Sequence, residues 1–452
     1  MDLAVTNYDA ETRVGSYFVA NYPPFSTWKA EHVAKALDSL ERPAPDPPVP
    51  LGLYIHIPFC RKRCRFCYFR VYTDKNARDV DRYVDALARE VALYARRPYL
   101  TGRQFDFVYF GGGTPSFLSS AQLRRLVDRI GAHWTWEHAR EVTFECEPGT
   151  LTRAKLETIK HIGTTRLSLG IEHFDDDVLS VNGRAHGSSD CARAFDWARG
   201  VGFAQVNVDL IAGMVGDNEY KWNETVAKTL NLEPDSVTIY QMEVPHNTVL
   251  AQDAREEGTS APIPDWPTKR AWTEYAFREF KNAGYEISSA YTLVKSNGPL
   301  PTPPRRGKES SSAFVYRDAI WHGADMVGTG VASFSYAASV HFQNEDGWGP
   351  YVERLARGEL PLARAYPPTE HQRLVRELIL QLKLGRVDAG YFRSKFGVEI
   401  NEEFSNALQT LRDHGLLTID GDRVTLTNDG LLRVDALLPH FFEPEHKYIR
   451  YT

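Results

Sequence analysis

The chain has 452 residues, with 53 Lys plus Arg against 59 Asp plus Glu, a net charge of −6. That balance excludes a nucleic-acid binder held by a broad basic face, and 42% hydrophobic with 25% charged residues excludes wholesale disorder. Five cysteines (Cys60, Cys64, Cys67, Cys146 and Cys191) are too few for a disulfide scaffold, and three of them fall within eight residues.

The run Met1 to Arg13 lacks the charged-then-apolar layout of a signal peptide, and no stretch reaches the roughly 18 apolar residues of a membrane span. A cytoplasmic protein without membrane or nucleic-acid partners is the expectation. Residues 1–50 read as a proline-rich arm lying on the main body, with a short helix over Thr27–Leu40; a disordered tail is the alternative. A strand–helix rhythm then begins. Strands are expected at Leu51–Ile57, Phe105–Phe110, Glu141–Cys146, Thr165–Ile171, Gln205–Ile211 and Ser236–Gln241. The intervening helices include Asp79–Arg96, Ser119–Ala132 and Asn218–Asn231, and a long helix over Trp266–Ala283 follows the sixth strand. Six such units in series imply an α/β fold with a parallel sheet, curled into a partial or complete barrel, with active groups at the carboxyl ends of the strands.

The segment 293–313, with its basic GPLPTPPRR run, reads as an inserted loop: a lid or a dispensable excursion. The core is expected over 51–345. From about 346 to 452 the pattern changes to helices at 369–383, 389–395 and 401–414, a hairpin across Gly421, and a last helix near 428–438. That is a small winged-helix-like module, and its acidic balance favours docking or lid work over DNA binding.

Cys60, Cys64 and Cys67 form a CxxxCxxC directly after the first strand. Structural zinc normally takes four ligands at paired spacings, and a redox pair needs only two sulfurs. Three thiolates suit a [4Fe–4S] cluster with one iron left open to a chelating ligand. Arg61, Lys62, Arg63 and Arg65 are expected to favour the thiolate form. The segment Tyr54-Ile55-His56-Ile57-Pro58-Phe59-Cys60 through Cys67 resembles the radical S-adenosylmethionine (SAM) superfamily, and more narrowly its HemN-like (oxygen-independent coproporphyrinogen III oxidase-like) subgroup. Gly111-Gly112-Gly113-Thr114-Pro115 and Phe144-Glu145-Cys146-Glu147-Pro148 match the family in order. The resemblance implies two SAM molecules: Tyr54, Gly112 and Glu145 on the first, and Phe66, Gly113, Thr114, Glu172, Arg184 and Asp209 on the second.

Four departures stand out: Tyr68-Phe69-Arg70 after the third cysteine, Glu172 in place of glutamine, Glu243 in place of a small residue, and the inserted loop. The new acids run against a tetra-anionic porphyrinogen. The stretch Cys67 to Asn76 resembles HemN-like methylases and cyclopropanases of natural-product pathways. The leading expectation is therefore transfer of a SAM-derived carbon to an sp² carbon of an unsaturated small molecule. Tyr240, Glu243 and His246 would face that substrate or relay a proton, and a flavodoxin or ferredoxin would supply the electron. Oxidative decarboxylation of coproporphyrinogen III is one alternative, and a non-enzymatic haem-binding chaperone is the other.

Overall fold

The computed structural model describes residues 20–258, 262–296, 314–447 and 449. The start Met1 to Arg13 and most of the 293–313 loop lie outside the described residues. Strands β1 (Leu51–Ile57), β2 (Phe107–Gly112), β3 (Glu141–Cys146), β4 (Arg166–Glu172), β5 (Gln205–Ala212) and β6 (Ser236–Gln241) pair in parallel in that order. Helices Ala77–Ala95, Ser120–Gly131, Arg153–His161, Ser188–Val201 and Glu219–Leu232 make the crossovers. Each expected strand is present within two residues.

The sheet then grows beyond the expected six strands. β7 (Tyr285–Ile287) and β8 (Thr292–Lys295) add antiparallel strands beyond β6. β9 (Asp325–Thr329) returns to lie parallel beside β1, and β10 (Phe334–Ala337), β11 (Val340–Asn344) and β12 (Leu362–Tyr366) continue as an antiparallel meander. The order is β12-β11-β10-β9-β1-β2-β3-β4-β5-β6-β8-β7, so β9 is a seventh parallel strand. These added strands are only three to five residues long, too short for a period-2 signal to stand out.

Successive strand residues point to opposite faces. Leu53, Ile55, Val108, Phe110, Val142, Phe144, Leu167, Leu169, Val206 and Val208 are buried in one core with Leu87, Leu123, Leu126 and Leu156 of the helices. Their alternates, Tyr54, Tyr109, Glu145, Ser168, Asp209 and Tyr240, instead line one cavity of about 1460 Å³. Parallel strands covered on both faces usually read as unbroken apolar runs; here the second face is given to the cavity. Met326, Ser335, Gln343 and Arg364 of β9–β12 line the same space, so the sheet wraps around it.

The C-terminal region packs helices Glu370–Leu382, Ala389–Phe396 and Ser405–Asp413 with a small sheet of β13 (Arg386–Asp388), β14 (Leu417–Asp420) and β15 (Arg423–Leu426). The last expected helix is broken into Asn428–Leu432 and Val434–Leu437. Arg376 and residues 431–436 reach the cavity wall, and the Gln241 side-chain amide donates to the Leu432 carbonyl at 2.9 Å. In the arm, Tyr22 and Trp28 are buried, and Lys29 bridges to Ala365 of β12. Its helix runs only over Val33–Leu40, after two 3-10 turns. No helix among the described residues is long and apolar enough to cross a membrane.

Candidate active site

The cysteine loop is pinned at both ends. The Cys60 N–H donates to the Tyr72 carbonyl at 3.1 Å, and the Tyr72 N–H donates to that of Pro58 at 2.7 Å. The loop then enters the Ala77–Ala95 helix through Asn76, whose side chain accepts from the Arg78 and Asp79 N–H groups; such a cap stabilises a helix by about 1 kcal/mol. Cys60 Sγ lies 3.4 Å from Thr114 Oγ1, and Cys64 Sγ accepts from Arg184 Nη1 at 3.2 Å. All three cysteines are free and half-buried.

A single tetrahedral ion draws its sulfurs together, whereas a cluster spreads them over separate irons. Among the described residues, the group of three metal-type ligand atoms lying within 4.8 Å of one another is not this triplet. Three free, half-buried thiols lining one cavity suit the cluster. Burial pushes the Cys60 and Cys67 thiols up to about 11 and about 12, with Cys64 adding to both, so the sulfurs are protonated until a metal displaces the protons.

Of the loop's basic residues, Arg63 favours the Cys67 thiolate as expected, while Arg61 and Arg65 are taken up by carboxylates. Arg61 pairs with Glu147 at 2.9 Å, Arg65 pairs with Asp253 at 2.7 Å, and Arg63 donates to the Cys67 and Asn247 carbonyls. The guanidinium that reaches a sulfur is that of Arg184. Arg61 and His186 converge on Glu147 and hold its carboxyl down at about 2 against the upward push of burial. This network ties the loop to the end of β3.

The glycine turn has a steric basis. Gly113 donates its N–H to the Ile57 carbonyl at 2.9 Å, and an added Cβ would sit 2.9 Å from the Pro58 carbonyl carbon. Gly112 has φ +110, and its Cβ would strike the His56 ring at 2.4 Å. Only glycine lets the end of β2 close against the end of β1, which brings Thr114 to Cys60. Glu145 accepts from the Tyr109 hydroxyl and from the Gly112 N–H at 3.3 Å. Burial raises its carboxyl to about 7 despite those donors. The Tyr54 hydroxyl lies 3.1 Å from His56 Nδ1, and Phe66 packs on the Ile211–Met214 cluster.

Glu172 sits at φ +65 where the β4–β5 register shifts. That turn aims it at Arg184, 3.5 Å away. Arg184 donates to the Gly170 carbonyl at 2.6 Å, and its buried Nε has no partner. Burial raises the Glu172 carboxyl to about 7, with Arg184 pulling down and Asp209 pushing up. Asp209 accepts from Ser168 at 2.7 Å and Asn207 at 2.9 Å, yet burial lifts it to about 6. Of these three cavity-lining carboxyls, only Glu172 is paired with Arg184. A ligand carrying an ammonium and a sulfonium fits that excess of acid, and Arg184 fits its carboxylate.

Tyr240 and Glu243 line the cavity as expected. Tyr240 is 40% exposed, into the cavity, with its ring stacked on Tyr291 at 6.1 Å. His246 does not line it. Its exposed side chain points away from the cavity that its neighbours Pro245 and Asn247 line, and Arg255 donates to its ring and to its carbonyl, both at 3.0 Å. The substrate-facing role expected for His246 is therefore corrected. Sequence reasoning missed the far wall: Arg317, Arg364, Arg376 and Tyr316 line it from elements distant in sequence, with no shared motif. It also left Tyr68 and Phe69 without a role. They are 39% and 43% exposed in the same cavity and stacked on each other at 4.5 Å.

Residues 54–228 match the family description "Radical SAM superfamily", and 369–433 match "HemN C-terminal domain". The chain is 31% identical over 400 residues to the heme chaperone HemW of Mycobacterium tuberculosis, covering 87% of this chain and 95% of that one. It is 25% identical to the oxygen-independent coproporphyrinogen III oxidase of Escherichia coli, over 86% and 84% of the two chains. The solved structure of that oxidase superposes with a TM-score of 0.78 at 22% identity, covering 95% and 99%. These relatives overturn the expected carbon methylation or cyclopropanation. The acids that argued against a polyanionic substrate also lose their force: Glu172 is matched by Arg184, and the same cavity carries arginines on its far wall. The chain belongs to the HemN-like family of the radical SAM superfamily, whose members use a [4Fe–4S] cluster and SAM.

Proposed function

We propose that this protein is a radical SAM enzyme acting on a carboxylate-bearing tetrapyrrole, by oxidative decarboxylation of the kind named for its coproporphyrinogen III oxidase relatives. One observation carries the reading. The cysteine triplet, the SAM-class acids and cationic side chains without carboxylate partners all line a single cavity. Arg376 lies 4.2 Å over the Tyr336 ring with Nε and Nη1 unpartnered, and Arg364 donates only to Gln343 and the Phe25 carbonyl. Such guanidiniums suit propionate groups. Tyr68, Phe69 and Tyr240 offer rings to pyrrole faces.

Cys60, Cys64 and Cys67 hold the cluster. Tyr54, Gly112 and Glu145 hold one SAM; Phe66, Gly113, Thr114, Glu172, Arg184 and Asp209 hold a second. With cluster and SAM bound, a one-electron reductant such as a flavodoxin or ferredoxin provides for radical formation from SAM. The chain's own work is orientation, charge matching and exclusion of water around the propionate β-carbon. Each propionate that becomes a vinyl group would give up a hydrogen atom to the SAM-derived radical, carbon dioxide, and one electron to an external one-electron acceptor. Glu243 and Tyr240 border the substrate side.

The test is anaerobic turnover of cluster-loaded protein with SAM, reductant and coproporphyrinogen III. The expected products are 5′-deoxyadenosine and a porphyrinogen two carboxylates poorer. SAM cleavage with every propionate intact would sink the reading. The HemW relative at 31% identity favours a second reading, haem delivery, which predicts stoichiometric haem binding without decarboxylation.

A further inference from the structure

Near the end of the chain, far from the cysteine loop in sequence, the short turn Pro444–His446 gathers a set of donors. Glu443, Glu445 and His446 each place one ligand-type atom within 4.8 Å of the other two. His446 is 5% exposed, and neither ring nitrogen has a hydrogen-bond partner. A buried, unpartnered imidazole is costly and calls for a ligand. Its Nε2 stands 3.7 Å from Glu443 Oε2, too far for a hydrogen bond. Two donors each about 2.1 Å from one ion lie roughly 3–4 Å apart, so that gap suits a shared cation.

The carboxylate of Glu443 is already oriented. Gln372 Nε2 donates to it at 2.8 Å and the Tyr22 hydroxyl at 3.3 Å, while His371 Nδ1 lies 3.0 Å from its other oxygen. His371 in turn reaches Glu403 at 3.2 Å. Outer partners of this kind are what fix metal-binding carboxylates. The Tyr22 ring meets His446 edge-on at 5.4 Å. None of the three donors lines the cluster cavity.

We propose that Glu443, Glu445 and His446 form a separate mononuclear site for a zinc-class divalent cation. One imidazole and two carboxylates are its donor set. The ion would clamp three parts of the chain: the arm through Tyr22, helix Glu370–Leu382 through His371 and Gln372, and the C-terminal segment itself.

The test is calorimetric titration of untagged, cluster-loaded full-length protein with zinc chloride, with cluster absorbance monitored so that the cysteine triplet stays occupied. The expected result is one zinc per chain and a raised melting temperature. Glu445→Gln and His446→Gln each remove a direct ligand and should weaken binding by more than the about 10- to 100-fold that loss of an outer partner costs, and abolish the thermal shift. Glu445 is exposed, so its variant folds even if the His446 variant does not. Wild-type protein that takes up no zinc, or a Glu445→Gln variant that binds as the wild type does, would overturn the site.

Discussion

The two sides of the cavity were built by different kinds of sequence. The rim from β1 to β5 carries its functional groups on tight local motifs: three cysteines in eight residues, a triple glycine, acids at strand ends. The far wall from β9 to β12, with Arg317, Arg364 and Arg376, has no motif at all. The rim must hold a group of fixed shape, so spacing and steric freedom are dictated residue by residue. The wall needs only charge and surface at the right distance, and any element that reaches the space can supply them.

Breaking the rim should abolish activity outright. Cys64→Ala removes a cluster ligand and the sulfur that Arg184 donates to. Iron content and 5′-deoxyadenosine formation should both fall to background. Retained iron with full SAM cleavage would mean the triplet is not the cluster site. Arg184→Ala is the next largest change. It leaves Glu172 as a buried acid without its partner, and breaking such a pair costs about 3–5 kcal/mol. The variant should lose stability in denaturant and lose SAM affinity together.

This contrast also explains what could be read from the chain alone. β1 to β6 were legible because each places apolar residues at alternate positions and is followed by a helix at regular distance. β9 was not, because it returns beside β1 from some 270 residues away and spans only Asp325–Thr329. Cys60, Gly113 and Glu145 were legible because spacing and steric need survive in one dimension. Glu172 was legible as a departure, but its meaning needed the register shift and the positive φ that turn it toward Arg184. His246 misled because its neighbours Pro245 and Asn247 line the cavity while its own side chain turns outward to Arg255. Arg376 was invisible: it sits on the buried side of a helix 130 residues beyond the last recognised motif.

The wall can be sharpened by Arg376→Met. Arg376 is 2% exposed, and burial lowers its pKa against the opposing pull of Tyr336 and Glu377. An arginine kept for structure would destabilise the fold when lost. One kept for substrate should behave in the opposite way, since removing a buried charge relieves a desolvation cost. The expected outcome is an unchanged or higher melting temperature. KM for coproporphyrinogen III should rise about 10- to 100-fold, the loss of one charge-assisted hydrogen bond of about 1.5–3 kcal/mol. SAM cleavage without substrate should not change. A drop in stability with KM unaltered would make the wall structural.

The smallest effect separates the same two regions by proton linkage. In the rim, Glu145 and Glu172 are raised from 4.5 to about 7, and Asp209 from 3.8 to about 6, each chiefly by burial. The folded state therefore binds more protons than the unfolded chain between those values. Stability from these groups is fully present below about pH 4 and is lost as pH rises through 6 to 7. Ligand-free protein should accordingly melt at progressively lower temperature as pH goes from 5 to 7.5. Saturating SAM supplies the cationic partner the acids lack, so it should flatten that slope as well as raise the melting temperature. Glu145→Gln together with Asp209→Asn should reduce it without SAM, leaving the share that Glu172 contributes. Arg376→Met should leave the slope intact, because the wall contributes none of the three carboxyls. A slope untouched by SAM would mean that the acids of the rim do not meet its cationic groups.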